Sequence, residues 1–251
     1  MKVVLFCGGL GMRLRDYTDL VPKPLIPVAG RPLVWHLMRY YAHYGHRDFI
    51  LCLGYGAEAI RRCFGDVQPG TPLAEESSGW RITFADTGTE ASIGERLKAV
   101  EPLLAGESMF LANYADGLTD CPLPLLIALA ERRRAVATFL SVRPHLSYHA
   151  VVADSHGTVT QIRDIADTGL RINGGFFVFR REIFRYLGPG EDLVDQPFRR
   201  LLRRRQLVAH VYDGFWLAVD TPKDKQRIDE IAAAGAPPWQ PRDLHAYAAL
   251  G

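Results

Sequence analysis

Cys7-Gly8-Gly9-Leu10-Gly11-Met12-Arg13-Leu14, running on to Pro22-Lys23-Pro24-Leu25-Ile26-Pro27, is the stretch around which this chain is organised. It directly follows Val3-Val4-Leu5-Phe6, an apolar run of β-formers short enough to be a buried strand. A strand that opens into the closely spaced Gly8, Gly9 and Gly11 lets a polyanion approach the backbone, because no Cβ atoms stand in the way. Arg13 offers a rigid fork of donors for phosphate oxygens, and Lys23 offers a mobile point charge. The prolines flanking Lys23 lack amide hydrogens and restrict the backbone, so they hold that lysine in a defined extended turn. The plain alternative is a glycine-rich turn beside two surface cations, and the glycines alone leave both readings open. The stretch is not a Walker loop, since no Gly-Lys-Ser/Thr follows, and it does not read Gly-x-Gly-x-x-Gly.

The 251 residues suffice for one large α/β domain or two small ones, with a core that needs no staples. At 48% hydrophobic and 23% charged, the composition is that of an ordinary globular protein. A formal net charge of +2 argues against a nucleic-acid partner. Met1-Lys2 leads straight into a short strand with no long apolar leader, and no apolar run reaches the roughly 18 residues of a membrane span. The four cysteines show no Cys-x-x-Cys spacing, so reduced thiols and a cytoplasmic location are expected. The eight histidines make no paired ligand spacing, which disfavours a zinc site.

Outward from the glycine stretch, strand and helix patterns alternate. Arg31 to Tyr44 reads as a helix with Pro32 in its first turn and Gly45 as its stop. Asp48 to Leu53 is a strand and Gly56 to Phe64 a helix, completing a β-α-β unit with a parallel sheet and right-handed crossover. Val67 to Gly79 reads as a loop, Trp80 to Ala85 as a strand, and Glu95 to Val100 as a short helix. Met109 to Ala112 is a strand, Pro122 to Arg134 a helix and Val136 to Val142 a strand. Arg132-Arg133-Arg134 ends that helix, where cations suit the macrodipole. Short strands with a turn at Asp154-Ser155-His156-Gly157 occupy Ala150 to Ile162, and Ile172 to Phe179, Leu207 to Tyr212 and Phe215 to Val219 are further strands. Helices are expected around Arg181–Tyr186, Asp195–Arg205 and Pro222–Ala233. No repeat, low-complexity tract or linker divides the chain. One domain over residues 1–235 is expected, and a tail over 236–251, rich in proline, that packs against a neighbour or stays mobile.

Two carboxylates stand at strand ends. Asp116 follows an apolar strand at the carboxyl edge, where open α/β sheets bind ligands. Asp220 ends another strand just before Thr221-Pro222. Paired with cations, such carboxylates suit phosphoryl-transfer chemistry and a hard ion such as magnesium. Equally, Asp116-Gly117 can be a turn and Asp220 a helix cap. Asn173-Gly174-Gly175 forms a second glycine site, which can also be a β-bulge or close strand packing. Tyr114 and Trp216 are candidate pocket walls, and Trp216 also fits a core.

Taken whole, Gly-Gly-Leu-Gly-Met-Arg-Leu followed by Pro-Lys-Pro-Leu-Ile-Pro-Val-Ala-Gly-Arg-Pro-Leu resembles the signature of the sugar-phosphate nucleotidyltransferases. Trp35-His36-Leu37-Met38 and Phe49-Ile50-Leu51-Cys52-Leu53-Gly54-Tyr55 are most similar to the glucose-1-phosphate cytidylyltransferase branch, and the similarity spans residues 1 to about 234. The resemblance implies an α/β fold: a Rossmann-like mixed, mostly parallel sheet flanked by helices, of the nucleotide-diphospho-sugar transferase type. It implies transfer of a nucleoside monophosphate, CMP from CTP, to a sugar 1-phosphate such as glucose 1-phosphate, with release of pyrophosphate. Arg13, Lys23, Asp116 and Asp220 would be catalytic, with Mg2+ on Asp116 and Asp220. Gly8, Gly9, Gly11, Met12, Arg13, Lys23, Gly94 and Tyr114 would face the nucleotide. Asn173, Gly174, Arg163 and Trp216 would face the sugar phosphate. A homo-oligomer is expected.

Three positions depart from the family pattern. Met12 stands where relatives usually have Thr, Ala115 where many have Gly, and Ile162-Arg163-Asp164-Ile165 where they commonly carry Glu-Lys-Pro. That lysine binds the sugar phosphate in relatives. Here Arg163 takes the role, or Arg171 reaches in, or the acceptor is not an ordinary hexose 1-phosphate. Neighbours on a strand face opposite sides, so Arg163 is expected inward and Asp164 outward. Competing functions are transfer from UTP or dTTP, a glycosyltransferase of related fold, and a non-catalytic nucleotide binder. The glycosyltransferase is disfavoured because Asp116-Gly117-Leu118 lacks a second Asp.

Overall fold

Alternating strands and helices bury one mixed sheet between two helical layers in the computed structural model, which describes residues 1–9, 21–65, 77–145 and 148–240. Among the described residues eight strands form the sheet: β1 (Val3–Phe6), β2 (Asp48–Leu53), β3 (Arg81–Asp86), β4 (Met109–Tyr114), β5 (Ala137–Val142), β6 (Ile172–Asn173), β7 (Phe177–Arg180) and β8 (Leu207–Val211). Their order is β8, β5, then β6 and β7 on the other edge of β5, then β4, β1, β2 and β3. The β1–β2, β2–β3, β1–β4 and β5–β8 pairs are parallel, and β7 runs antiparallel between β4 and β5. This is the mostly parallel α/β architecture expected.

Strand alternation sends side chains to both faces. Val3, Leu5, Phe49, Leu51 and Leu111 point into one core, shared with α1 (Leu33–His43), α2 (Ala57–Gly65), α4 (Leu123–Arg133) and α6 (Pro222–Ala233). Val4, Phe6, Ile50, Phe110 and Ala112 point into the other, covered by α3 (Ile93–Ala99) and α5 (Gln196–Arg203). Each large apolar side chain removed from water contributes about 1.5–3 kcal/mol, so the two layers hold the sheet in one register.

Several boundaries differ from expectation for identifiable reasons. The first helix begins at Leu33, because Arg31 and Pro32 pair with Pro27 and Val28 as a two-residue ribbon. The strand expected over Ile172–Phe179 breaks into β6 and β7, since Gly175 (φ 76) and Phe176 (φ 51) are left-handed. Arg181–Arg185 is a 3-10 turn. Within the expected tail, Trp239 is 2% exposed and packs on His36 and Phe215, with ring centroids 6.2 and 5.6 Å away. That part of the tail therefore completes this chain's own core. The expected loop at 67–76 and the tail from 241 onward lie outside the described residues.

Candidate active site

The segment after β1 climbs to the carboxyl edge of the sheet. The Gly8 carbonyl accepts from Tyr55 N at 3.2 Å and from Arg96 Nη2 at 3.0 Å. A Cβ on Gly8 would collide with the Arg96 guanidinium and with Gly54 N, so glycine is required for close packing here. Arg96 itself is 2% exposed. Its guanidinium also donates to the carbonyls of Leu53, Gly88 and Thr89 and to Thr87 Oγ1, binding the β1, β2 and β3 loop ends together. Sequence reasoning missed it. Its only local signal is membership of a helix whose capping box, Ser92 with Glu95, the sequence does display.

Lys23 opens a single 3-10 turn, Lys23–Leu25, held by Leu25 N on Pro22 O at 2.8 Å and Ile26 N on Lys23 O at 3.1 Å. This is tighter than the extended turn expected, and it aims the lysine at two carboxylates. Lys23 Nζ donates to Asp116 Oδ2 at 2.7 Å and to Asp220 Oδ1 at 2.8 Å, with the lysine side chain only 14% exposed. Burial alone would lower the ammonium pKa; the two carboxylates reverse this and hold it above the ordinary lysine value.

A short antiparallel ribbon brings those carboxylates together. Gly117–Thr119 pairs with Trp216–Ala218, placing Gly117 opposite Ala218, and Val219 N donates to Asp116 O at 2.9 Å. Asp116 thus sits beside Asp220, although 104 residues separate them. Asp220 is not the helix cap: Thr221 caps α6 through a capping box with Asp224.

Lys23, Asp116 and Asp220 line a cavity of about 590 Å3 with Gly9, Tyr114, Asn173 and Trp216, together with Phe6, Cys7, Pro24, Ile93, Ala115, Ile172 and Ala218. Asn173 Nδ2 donates to Tyr114 Oη at 3.3 Å, and burial raises the Tyr114 phenol pKa. Trp216 Nε1 donates to Gly174 O at 2.8 Å, and a Cβ on Gly174 would press on that indole and on Val142. Gly174 therefore supports the wall from behind. Gly94 is buried in α3 against Glu191 O, while its neighbour Ile93 reaches the cavity. The Cys7 thiol is buried, and desolvation pushes its pKa well up, which favours the neutral thiol.

Arg163 is the exception. It lies on the ribbon His149–Ala153 with Val159–Asp164, whose second strand is exposed throughout, and it does not line the cavity. Asp164 caps the following 3-10 turn by accepting from Ala166 N at 2.9 Å. The expectation of an inward Arg163 fails because, among the described residues, this ribbon pairs with itself and not with the main sheet. Arg171 is committed elsewhere, to Asp213 at 2.7 Å and to the carbonyls of Ser141 and Tyr212. Gly11, Met12 and Arg13 lie outside the described residues.

The carboxylate pair fits a hard divalent cation. Magnesium takes one or two protein carboxylates and completes its shell with water and substrate phosphates. Among the described residues no group of three or more acidic, histidine or cysteine side chains could hold a metal by itself. All four cysteines are free, and no described helix is long and apolar enough to cross a membrane.

Residues 2–228 match the nucleotidyl transferase family. A glucose-1-phosphate cytidylyltransferase of Salmonella typhi is 30% identical over 258 residues, covering 96% of this chain and 99% of that protein. A mannose-1-phosphate guanyltransferase of Yarrowia lipolytica is 26% identical, covering 89% of this chain and 62% of that protein. The crystal structure of a candidate glucose-1-phosphate thymidylyltransferase from Bacillus anthracis superposes with a TM-score of 0.71 over 92% of this chain and 95% of that one, at 16% identity.

Proposed function

This chain belongs to the nucleotidyl transferase family, and from that membership we propose that it transfers CMP from CTP to glucose 1-phosphate, releasing pyrophosphate. The observation that carries the reading is the Lys23 ammonium held between Asp116 and Asp220 on the wall of the sheet-edge cavity. Nucleotidyl transfer needs alignment and charge neutralisation more than covalent help from the protein. An acceptor phosphate oxygen attacks the α-phosphorus, the bond to the bridging oxygen of pyrophosphate breaks, and its electron pair leaves with pyrophosphate. Lys23 offsets the charge gathered on the α-phosphate and the incoming phosphate, and Arg13 holds the leaving phosphates. Asp116 and Asp220 would hold magnesium, which supplies further charge neutralisation when bound. Tyr114 and Gly9 belong to the nucleotide side of the reading, where Gly94 acts only by packing the helix that presents Ile93, with Asn173, Gly174 and Trp216 on the sugar side.

The choice of CTP and glucose 1-phosphate rests on the Salmonella relative, which matches along nearly its whole length. A second reading keeps the chemistry and changes the substrates. It is favoured by the position of Arg163 and Arg171, neither of which lines the cavity where a sugar phosphate needs a cation. In that reading the donor is UTP or dTTP, or the acceptor is another phosphorylated compound. Exposed Val151, Val159 and Ile162 on the 149–164 ribbon support a homo-oligomer, which light scattering checks directly.

Pyrophosphate release, measured with CTP, UTP, dTTP, ATP and GTP against glucose 1-phosphate and mannose 1-phosphate, tests the proposal. CTP with glucose 1-phosphate should give the highest kcat/KM. A purine triphosphate as best donor would refute the cytidylyl assignment. No release from any pair would refute transfer to these two sugar phosphates.

A further inference from the structure

Four arginines converge at the opposite edge of the sheet from the active site. Arg134 is the C-cap of α4, Arg180 ends β7, Arg185 closes the 3-10 turn and Arg204 is the C-cap of α5. With Glu182 and Tyr186 they line a cavity of about 370 Å3. Strand register locates it: Arg180 pairs with Met109, the first residue of β4, whereas Tyr114 at the other end of β4 faces the active-site cavity. At about 3.3 Å per residue the ends of that strand are about 17 Å apart.

Several arginines elsewhere in the fold have acidic partners: Arg61 with Asp86, Arg143 and Arg171 with Asp213, Arg200 with Glu191. Among the described residues none of these four makes an ion pair, although Glu182 shares the wall with them. Arg180 Nε is buried without any hydrogen-bond partner. The Arg204 guanidinium carbon lies 5.8 Å from the Tyr186 ring centroid, which braces that side chain. Arg134 adopts φ 50 at a position where helices ordinarily end on glycine. The adjoining hollow holds Lys98 and Arg181, but these are already engaged by Glu101 and by the Leu104 carbonyl.

Like charges gathered around one concavity repel, and an anion bridging them removes that repulsion. Guanidinium forks match phosphate oxygens in pairs, and the cavity lies within the size range of small-ligand pockets, about 300–1,000 Å3. We propose that this cavity is a second binding site, separate from the active site, for a small anion bearing at least two phosphate groups. The site is concave and the chain carries only +2 overall, which favours a small ligand over a nucleic acid or an anionic membrane.

Calorimetric titration of the full chain with inorganic tripolyphosphate, at about 0.15 M salt and without divalent metal, tests this. Arg185 and Arg204 are exposed, so the double variant Arg185→Glu/Arg204→Glu should fold, as circular dichroism checks. Wild-type protein should show a binding event that this variant weakens at least tenfold, while turnover in the pyrophosphate assay stays within twofold. If the double variant proves misfolded, Arg185→Gln serves, with at least threefold weakening expected. Identical isotherms for a folded variant and wild type would overturn the proposal. So would binding of anionic phospholipid vesicles or RNA by wild type with no arginine-dependent uptake of tripolyphosphate. Turnover is read separately, so failure of the catalytic reading leaves this result interpretable.

Discussion

Trp216 Nε1 donates to the carbonyl of Gly174 at 2.8 Å, tying the ribbon that carries Asp220 to the glycine break between β6 and β7. Trp216→Phe keeps a ring on the cavity wall and removes the donor. It should cost about 0.5–1.5 kcal/mol in urea denaturation, the usual net worth of one hydrogen bond. If Gly174 and Trp216 face the acceptor as proposed, the acceptor KM should rise while the triphosphate KM stays near wild type. An equal rise in both would assign the bond a general stabilising role.

Lys23 stands between two carboxylates, so its removal has two separable effects. Lys23→Ala should lower kcat/KM by about 10²–10³, as expected for losing a preorganised charge at a transition state. It also leaves Asp116 and Asp220 facing each other, so magnesium should raise the melting temperature of the variant more than that of wild type. Asp116→Ala and Asp220→Ala should each fold and lose most activity at saturating magnesium. Normal turnover in both would remove the carboxylates from the mechanism.

Arg96 is the buried tie of the three loop ends, and Arg96→Met takes one donor from each of five acceptors at once. A loss of about 3 kcal/mol or more is expected, because several charge-assisted bonds at a buried site are lost together, although Gly8 O keeps Tyr55 N and Leu53 O keeps Thr87 as donors. At about 2–4 °C per kcal/mol that is a fall of about 6–12 °C in melting temperature by calorimetry. Arg96→Lys offers one point charge for a planar fork and should recover only part of it.

His46 is half-buried beside the N-terminal ammonium, 3.4 Å from Nδ1, and burial first and that charge second bring its pKa down to about 4. A depressed value means that neutral His46 contributes its full stability above about pH 6.5 and loses it as pH falls toward 4. Partial exposure holds the effect to on the order of 1 kcal/mol. Urea midpoints measured from pH 7 to 4.5 should fall less steeply for His46→Gln than for wild type.

Trp239 makes the expected domain boundary at 235 too early. Trp239→Ala removes a buried indole packed on His36 and Phe215, and should cost about 3–5 kcal/mol in equilibrium unfolding. A change below 1 kcal/mol would return the segment to the status of a loose tail.

What was legible from residues alone follows a physical division. Most strands and helices carry their signals locally: apolar runs for β1, β2 and β4, and Thr221-Pro222 ahead of α6, whose span was read to the residue. Asp116 and Asp220 could be nominated because strand ends at the carboxyl edge are ligand sites, although only long-range pairing of 117–119 with 216–218 reveals that they meet. Arg96 was invisible, since a helical arginine usually lies in solvent and its burial depends on loops from three other strands. Arg163 misled for the opposite reason. Alternation says which neighbours share a face, but it cannot say whether either face meets the rest of the protein.

The placement of β7 between β4 and β5 governs the order in which the protein can assemble. β4 joins β1, already made, on one edge, but its other edge has no partner until a strand 63 residues past its end emerges. Until then a growing chain presents an unpaired edge running from Met109 to Tyr114, a template for association with other chains. Asn113 receives the Phe176 amide, and Tyr114 receives Asn173, only when that late segment docks. The cavity is therefore among the last features to form, and a chain arrested earlier is an aggregation hazard rather than a slow catalyst.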